Sequence, residues 1–100
     1  MTQKMTAAII GPGNIGTDLL MKALRSNIIE PIWMVGIDES PGIQRARDMG
    51  LKVTTGGVDG LISALGSTSV DFAFDAPSAY VHAENSRKLK AVGTTMIGLT

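Results

Sequence analysis

The segment Gly11-Pro12-Gly13-Asn14-Ile15-Gly16 stands between a short apolar run, residues 6–10 (TAAII), and a stretch of helical periodicity from 14 to 27. Three glycines spaced G-x-G-x-x-G say little by themselves, because glycine is common. Set between a buried strand and an amphipathic helix, each has a physical role. Gly11 permits the tight turn out of the strand. Gly13 lets the backbone come close to a pyrophosphate, and Gly16 lets the helix pack against the strand. The amides of Gly13, Asn14 and Ile15 then open a helix, where their partial positive charge favours an anion. Pro12 has no amide hydrogen and only shapes the loop. The other reading of these residues is a plain strand-turn-helix with glycines in its loop.

The rest of the chain repeats the alternation. In the first helix Ile15, Leu19, Ala23 and Leu24 share one face and Asp18, Lys22 and Arg25 another, with Asp18 four residues ahead of Lys22. Pro31 closes the connection to a second strand, 32–37 (IWMVGI). Ser40-Pro41 reads as an N-cap and first-turn proline. That helix carries Ile43, Ala46 and Met49 inward and stops at Gly50. A short strand over 51–54 follows, with Thr54, Thr55, Gly56 and Gly57 as loop. Val58, Leu61, Ile62 and Leu65 recur at helical spacing up to Gly66. The remaining elements are a strand at 70–75 (VDFAFD), a helix from Ser78 to about Val92, and a strand at 94–99 (TTMIGL). The apolar runs lack period-two alternation, as strands covered on both faces do. The expected fold is α/β, a Rossmann-type doubly wound parallel sheet of about five strands with helices on both faces. Residues 1–100 form one domain, and a chain that stops just after a strand reads as the front portion of a longer protein.

Composition narrows the function. Lys plus Arg and Asp plus Glu number 9 each, so the chain has no electrostatic footprint for nucleic acid or an anionic membrane. Aromatic residues at 4% offer no base-stacking platform. The absence of cysteine removes a thiolate nucleophile, and a lone histidine cannot build a multi-histidine metal site, so no metal is expected. No apolar run is long enough to span a bilayer or to serve as a signal-peptide core, and a cytoplasmic location is the expectation.

Asp38 lies 22 residues past Gly16, at the end of the second strand, where a carboxylate accepts hydrogen bonds from an adenosine ribose. With Glu39 beside it, a 2′-phosphate would be repelled, which favours NAD over NADP. Arg45 and Arg47 in the next helix are placed to reach such a phosphate and keep NADP open. A second candidate site, Asp75-Ala76-Pro77-Ser78-Ala79, lies at the carboxyl end of the fourth strand, where open parallel sheets bind ligands; its small residues leave room for a ring or ribose. It also reads as a turn in which Pro77 and Ser78 start a helix. His82 is near Asp75 and Ser78 in sequence, but proximity in sequence is not triad geometry. Trp33 and the six methionines read as packing residues.

Four segments in order, AAIIGPGNIGTDLLMKALRS, WMVGID, DFAFDAPSAYVH and IGLT, resemble the N-terminal domain of the acylating acetaldehyde dehydrogenases of meta-cleavage pathways for aromatic compounds and steroids. The resemblance runs over essentially the whole chain. It implies NAD-dependent oxidation of a short aldehyde, with CoA as co-substrate, to acyl-CoA and NADH. It also implies a complex with 4-hydroxy-2-oxoacid aldolase and a homodimer formed through a catalytic domain absent from this chain. By the same resemblance Pro12 to Ile15 line the pyrophosphate, and Ser78 and Ala79 lie near the cofactor. One departure stands out: the family attacks its aldehyde with a cysteine, and this chain has none. The chain by itself is therefore expected to be inactive. The alternatives are the cofactor domain of another NAD(P)-dependent oxidoreductase, or a non-catalytic module that senses NADH or CoA.

Overall fold

The computed structural model describes residues 4–11, 13–75 and 86–98. Eight elements follow in order: β1 (Met5–Ile10), α1 (Asn14–Leu24), β2 (Ile29–Val35), α2 (Pro41–Asp48), β3 (Lys52–Thr54), α3 (Gly57–Leu65), β4 (Phe72–Asp75) and β5 (Thr95–Gly98). Residues 86–90 are also helical. The five strands make one sheet in the order β3-β2-β1-β4-β5, and every pairing is parallel. This is the doubly wound arrangement expected of the sequence, a Rossmann-type fold, with the strand order reversing between β1 and β4.

Burial on both faces explains the unbroken apolar runs. Ala7, Ala8, Ile9 and Ile10 are all buried, yet they serve two cores. Ile9 points with Met34 into a cluster closed by Leu20 of α1 and by Ile43 and Ala46 of α2. Ala8 and Ile10 point the other way, with Trp33 and Val35, against Val58, Leu61 and Leu65 of α3 and against Leu89. Thus α1 and α2 cover one face, and α3 and the 86–90 segment cover the other. Lys88 bridges these last two across 3.0 Å to Asp59.

Several local expectations need correction. Pro31 lies inside β2 and is buried. Its register partner is Ala7, while Ala8 faces Trp33, so Ile32 is an extra residue at a bulge. β3 pairs only with Trp33 to Val35, which leaves Pro31 without a ladder partner on that side; a residue with no amide hydrogen is tolerated there. β2 therefore begins earlier than expected and ends at Val35, placing Gly36 and Ile37 in the loop. On α1 Leu20 and Ala23 are buried and Leu19 packs half-buried against the core as expected, whereas Leu24 is 44% exposed. The Asp18–Lys22 pair forms at 3.3 Å on the outer face. Met49, the C-cap of α2, is 40% exposed, and Met5 and Met21 are exposed as well, so only some methionines pack; Met34 is fully buried. The fourth strand begins at Phe72, because Asp71 turns its carboxylate onto the backbone N–H and hydroxyl of Thr6 at 2.9 and 3.2 Å. The α2 start is as expected: Ser40 Oγ accepts from the Ile43 amide at 3.2 Å and Pro41 opens the helix. Gly57 belongs to α3 rather than to the loop before it.

Candidate functional site

The strand registers align the carboxyl ends of the whole sheet. Thr54 pairs with Val35, Val35 with Ile10, Ile10 with Asp75, and Asp75 with Gly98. Parallel neighbours lie about 4.8 Å apart. The turn after β1 therefore sits between the loop after β2 and the end of β4, at the point where the strand order reverses. Open α/β sheets bind ligands in that crevice.

The glycine turn is built tightly against the sheet. Gly11 adopts φ +102°, a region L side chains avoid, and its amide donates to the Val35 carbonyl at 2.8 Å. Gly16 lies in the first turn of α1 with its Cα against that same Gly11. A Cβ there would overlap the Gly11 carbonyl oxygen, come within 2.9 Å of its carbon and touch Ile9 Cγ2 at 3.7 Å. Gly11 is required by its backbone conformation and Gly16 by packing.

Gly13 is different. Its φ of −74° suits any residue, and a Cβ would meet nothing within 4 Å. No strain or contact among the described residues requires glycine there. Gly13 is the N-cap of α1, its carbonyl accepting from the Thr17 amide at 2.9 Å, and no side chain caps the helix start. No acidic residue lies in the first turn. Among the described residues, then, no side chain caps this helix N-terminus and no carboxylate opposes an anion there, the arrangement that receives a phosphate. The backbones of Asn14 and Ile15 open α1. Pro12, Ala76, Pro77, Ser78, Ala79 and His82 lie outside the described residues.

The loop after β2 carries the second half of the site. Gly36 is buried and donates to the Thr54 carbonyl at 2.9 Å, while its own carbonyl accepts from the Gly57 amide at 2.8 Å. Ile37, Asp38 and Glu39 then project outward, Ile37 with 84% of its surface exposed. Sequence reasoning passed over Ile37 as the last residue of a strand. Its exposure follows from the strand ending two residues sooner.

An ion pair between Glu39 and Arg47 also escaped the sequence reading. Arg47 Nη2 lies 2.8 Å from Glu39 Oε1, and Nη1 donates to Gln44 Oε1 at 2.9 Å. The Gln44 amide in turn donates to Asp48 at 2.9 Å. The hydrogen bond to Glu39 holds the Arg47 guanidinium above its usual pKa, opposed by partial desolvation and helped by the charges of Glu39 and Asp48. The available signal was the habit of long helical side chains to lean toward the helix N-terminus, which carries Arg47 back past Ser40. No cluster of three metal-ligating side chains occurs among the described residues, and no helix among them is long and apolar enough to cross a membrane.

No protein-family model matches the chain. Among solved structures, the NAD complex of GenD2 from gentamicin A biosynthesis superposes with a TM-score of 0.81 at 26% identity, over 98% of this chain and 27% of that one. The WlbA dehydrogenase from Chromobacterium violaceum, bound to NADH and UDP-GlcNAcA, gives 0.78 at 17% identity, over 97% and 27%, and speaks for the fold alone. In sequence the chain is 64% identical over 101 residues to an acetaldehyde dehydrogenase of Ralstonia pickettii (strain 12J), covering 100% of this chain and 32% of the relative. It is 65% identical over 101 residues to acetaldehyde dehydrogenase 1 of Dechloromonas aromatica (strain RCB), covering 100% and 33%. The chain thus spans about a third of the length of the curated relatives it matches, and over that third it is homologous to acetaldehyde dehydrogenases.

Proposed function

We propose that this chain is the NAD-binding domain of an acylating acetaldehyde dehydrogenase. The observation that carries the reading is the contrast within the glycine turn. Gly11 and Gly16 are glycine because the fold demands it, whereas Gly13 leaves open space over an uncapped helix start. A pyrophosphate seated there would take hydrogen bonds from the Gly13, Asn14 and Ile15 amides and benefit from the α1 dipole. Asp38, one strand away, would accept from the adenosine ribose hydroxyls. The exposed Ile37 offers an apolar surface beside it for the adenine ring. Ala76, Pro77, Ser78 and Ala79 follow β4 in the sequence, and by the family resemblance Ser78 and Ala79 would lie near the cofactor.

NAD when bound supplies a hydride acceptor. The chain's own residues supply binding and orientation, because no cysteine is present to attack an aldehyde. In this reading thioester formation, CoA binding, homodimer contacts and association with a 4-hydroxy-2-oxoacid aldolase belong to other parts of the whole enzyme, one used in the breakdown of aromatic compounds. Sequence identity above 60% to acetaldehyde dehydrogenases favours this over an unrelated oxidoreductase or a sensing module.

Nuclear magnetic resonance of the labelled chain titrated with NADH tests the proposal. The Gly13, Asn14, Ile15 and Asp38 amides are expected to shift together and saturably. Shifts confined to residues remote from the carboxyl edge of the sheet would refute it.

A further inference from the structure

We propose that Arg47 is a latent ligand for the 2′-phosphate of NADP, and that Glu39 enforces the preference for NAD by occupying it. The inference rests on the cofactor reading above and adds to it a residue that sets cofactor choice. The ribose hydroxyl that distinguishes NAD from NADP is assigned to Asp38. Glu39 is the next residue, and its carboxylate sits 2.8 Å from Arg47 Nη2. A guanidinium binds a carboxylate or a phosphate with the same fork of donors, so the carboxylate stands where a phosphate oxygen would be bound.

Two further features shape this arrangement. Arg47 is also held by Gln44, whose amide is itself fixed by Asp48, each at 2.9 Å. Removal of the Glu39 charge would leave the guanidinium positioned rather than released into solvent. The pair is also exposed on both sides, 42% for Arg47 and 63% for Glu39. Exposed pairs are weak, so a single substitution suffices to open it. Glu39 thereby acts in two ways: its charge repels a 2′-phosphate, which carries about −1.5 to −2 at neutral pH, and it occupies the one cation seen to reach this loop among the described residues.

The test is a double-mutant cycle on the full chain, reading the ratio of NADPH to NADH affinity by calorimetry for the parent, Glu39→Gln, Arg47→Gln and the double variant. Circular dichroism confirms that each is folded. Glu39→Gln is expected to raise the ratio about tenfold, the scale of one added charge-assisted hydrogen bond. In the Arg47→Gln background the same change is expected to raise it by no more than about threefold, the share of simple charge repulsion. Equal gains in both backgrounds would overturn the role of Arg47, leaving Arg45 or repulsion alone. No gain in a variant that still binds NADH would overturn it as well. A parent chain that binds neither nucleotide would instead overturn the cofactor reading, and this inference with it.

Discussion

The carbonyl oxygen of Gly11 occupies the space that a Cβ on Gly16 would need, so the first turn of α1 rests directly on the turn that leaves β1. The helix N-terminus is thus held close over the carboxyl end of the central strand by backbone-to-backbone contact at Gly11 and Gly16. Gly16→Ala is expected to push the two apart and cost about 2–4 kcal/mol of stability, at the upper end of overpacking substitutions. Urea unfolding measures this. A loss under about 0.5 kcal/mol would show that the turn can yield.

Ser40 fixes the loop that carries Asp38, because its hydroxyl oxygen accepts from the Ile43 amide at 3.2 Å. Ser40→Ala is expected to cost about 1 kcal/mol. For a domain of this size that corresponds to a melting temperature lower by about 4–8 °C. Thermal unfolding followed by circular dichroism checks it, and an unchanged midpoint would mean the cap contributes nothing.

Much of this was legible in the sequence, for reasons seen at particular residues. Apolar runs without alternation gave away a doubly covered sheet, and Ser40-Pro41 and Gly66 punctuated helices where their chemistry requires. The errors share one cause: tertiary context not visible locally. Pro31 reads as a breaker, yet β3 is too short to pair beside it, and β2 runs through. Leu24 fits the helical stripe, but Leu20 is the residue that faces Met34 and Ile43. In the site, the glycine spacing was plain from the chain; the structure adds that a Cβ at Gly16 would overlap Gly11 while one at Gly13 would meet nothing within 4 Å. The Glu39–Arg47 pair joins residues eight apart across a helix start, a separation that no simple periodicity rule covers.

Asp38 is exposed at the end of the β2 loop, and its carboxylate is assigned to the ribose hydroxyls. Asp38→Ala is expected to weaken NADH binding about tenfold, the scale of one or two hydrogen bonds to a charged group. It should also narrow the gap to NADPH, since a repelling charge goes with it. Competitive titration of the two nucleotides measures both effects. Tighter NADPH than NADH binding by the parent chain would contradict the role given to Asp38.

Catalysis is expected to be absent from the isolated chain. Supplied with NAD, CoA and acetaldehyde, it should form no NADH in a CoA-dependent way, because a hydroxyl needs an adjacent base to replace the missing thiolate. Absorbance at the NADH band follows this. Activity that scales with chain concentration and vanishes in Ser78→Ala or His82→Ala would reveal a local catalytic site.

In the cofactor reading, the open space above Gly13 is reserved for a pyrophosphate. A Cβ on Gly13 would meet nothing within 4 Å, and φ −74° suits an L residue, so Gly13→Val puts a branched side chain into that space without backbone strain. The fold should survive, at about 1 kcal/mol for a poorer N-cap. Calorimetric titration of parent and variant with NADH decides the matter: saturable binding is expected of the parent, and a loss of at least about a hundredfold in affinity of the variant, the scale of a steric block combined with lost charge-assisted hydrogen bonds. Equal binding by the two folded chains would contradict it.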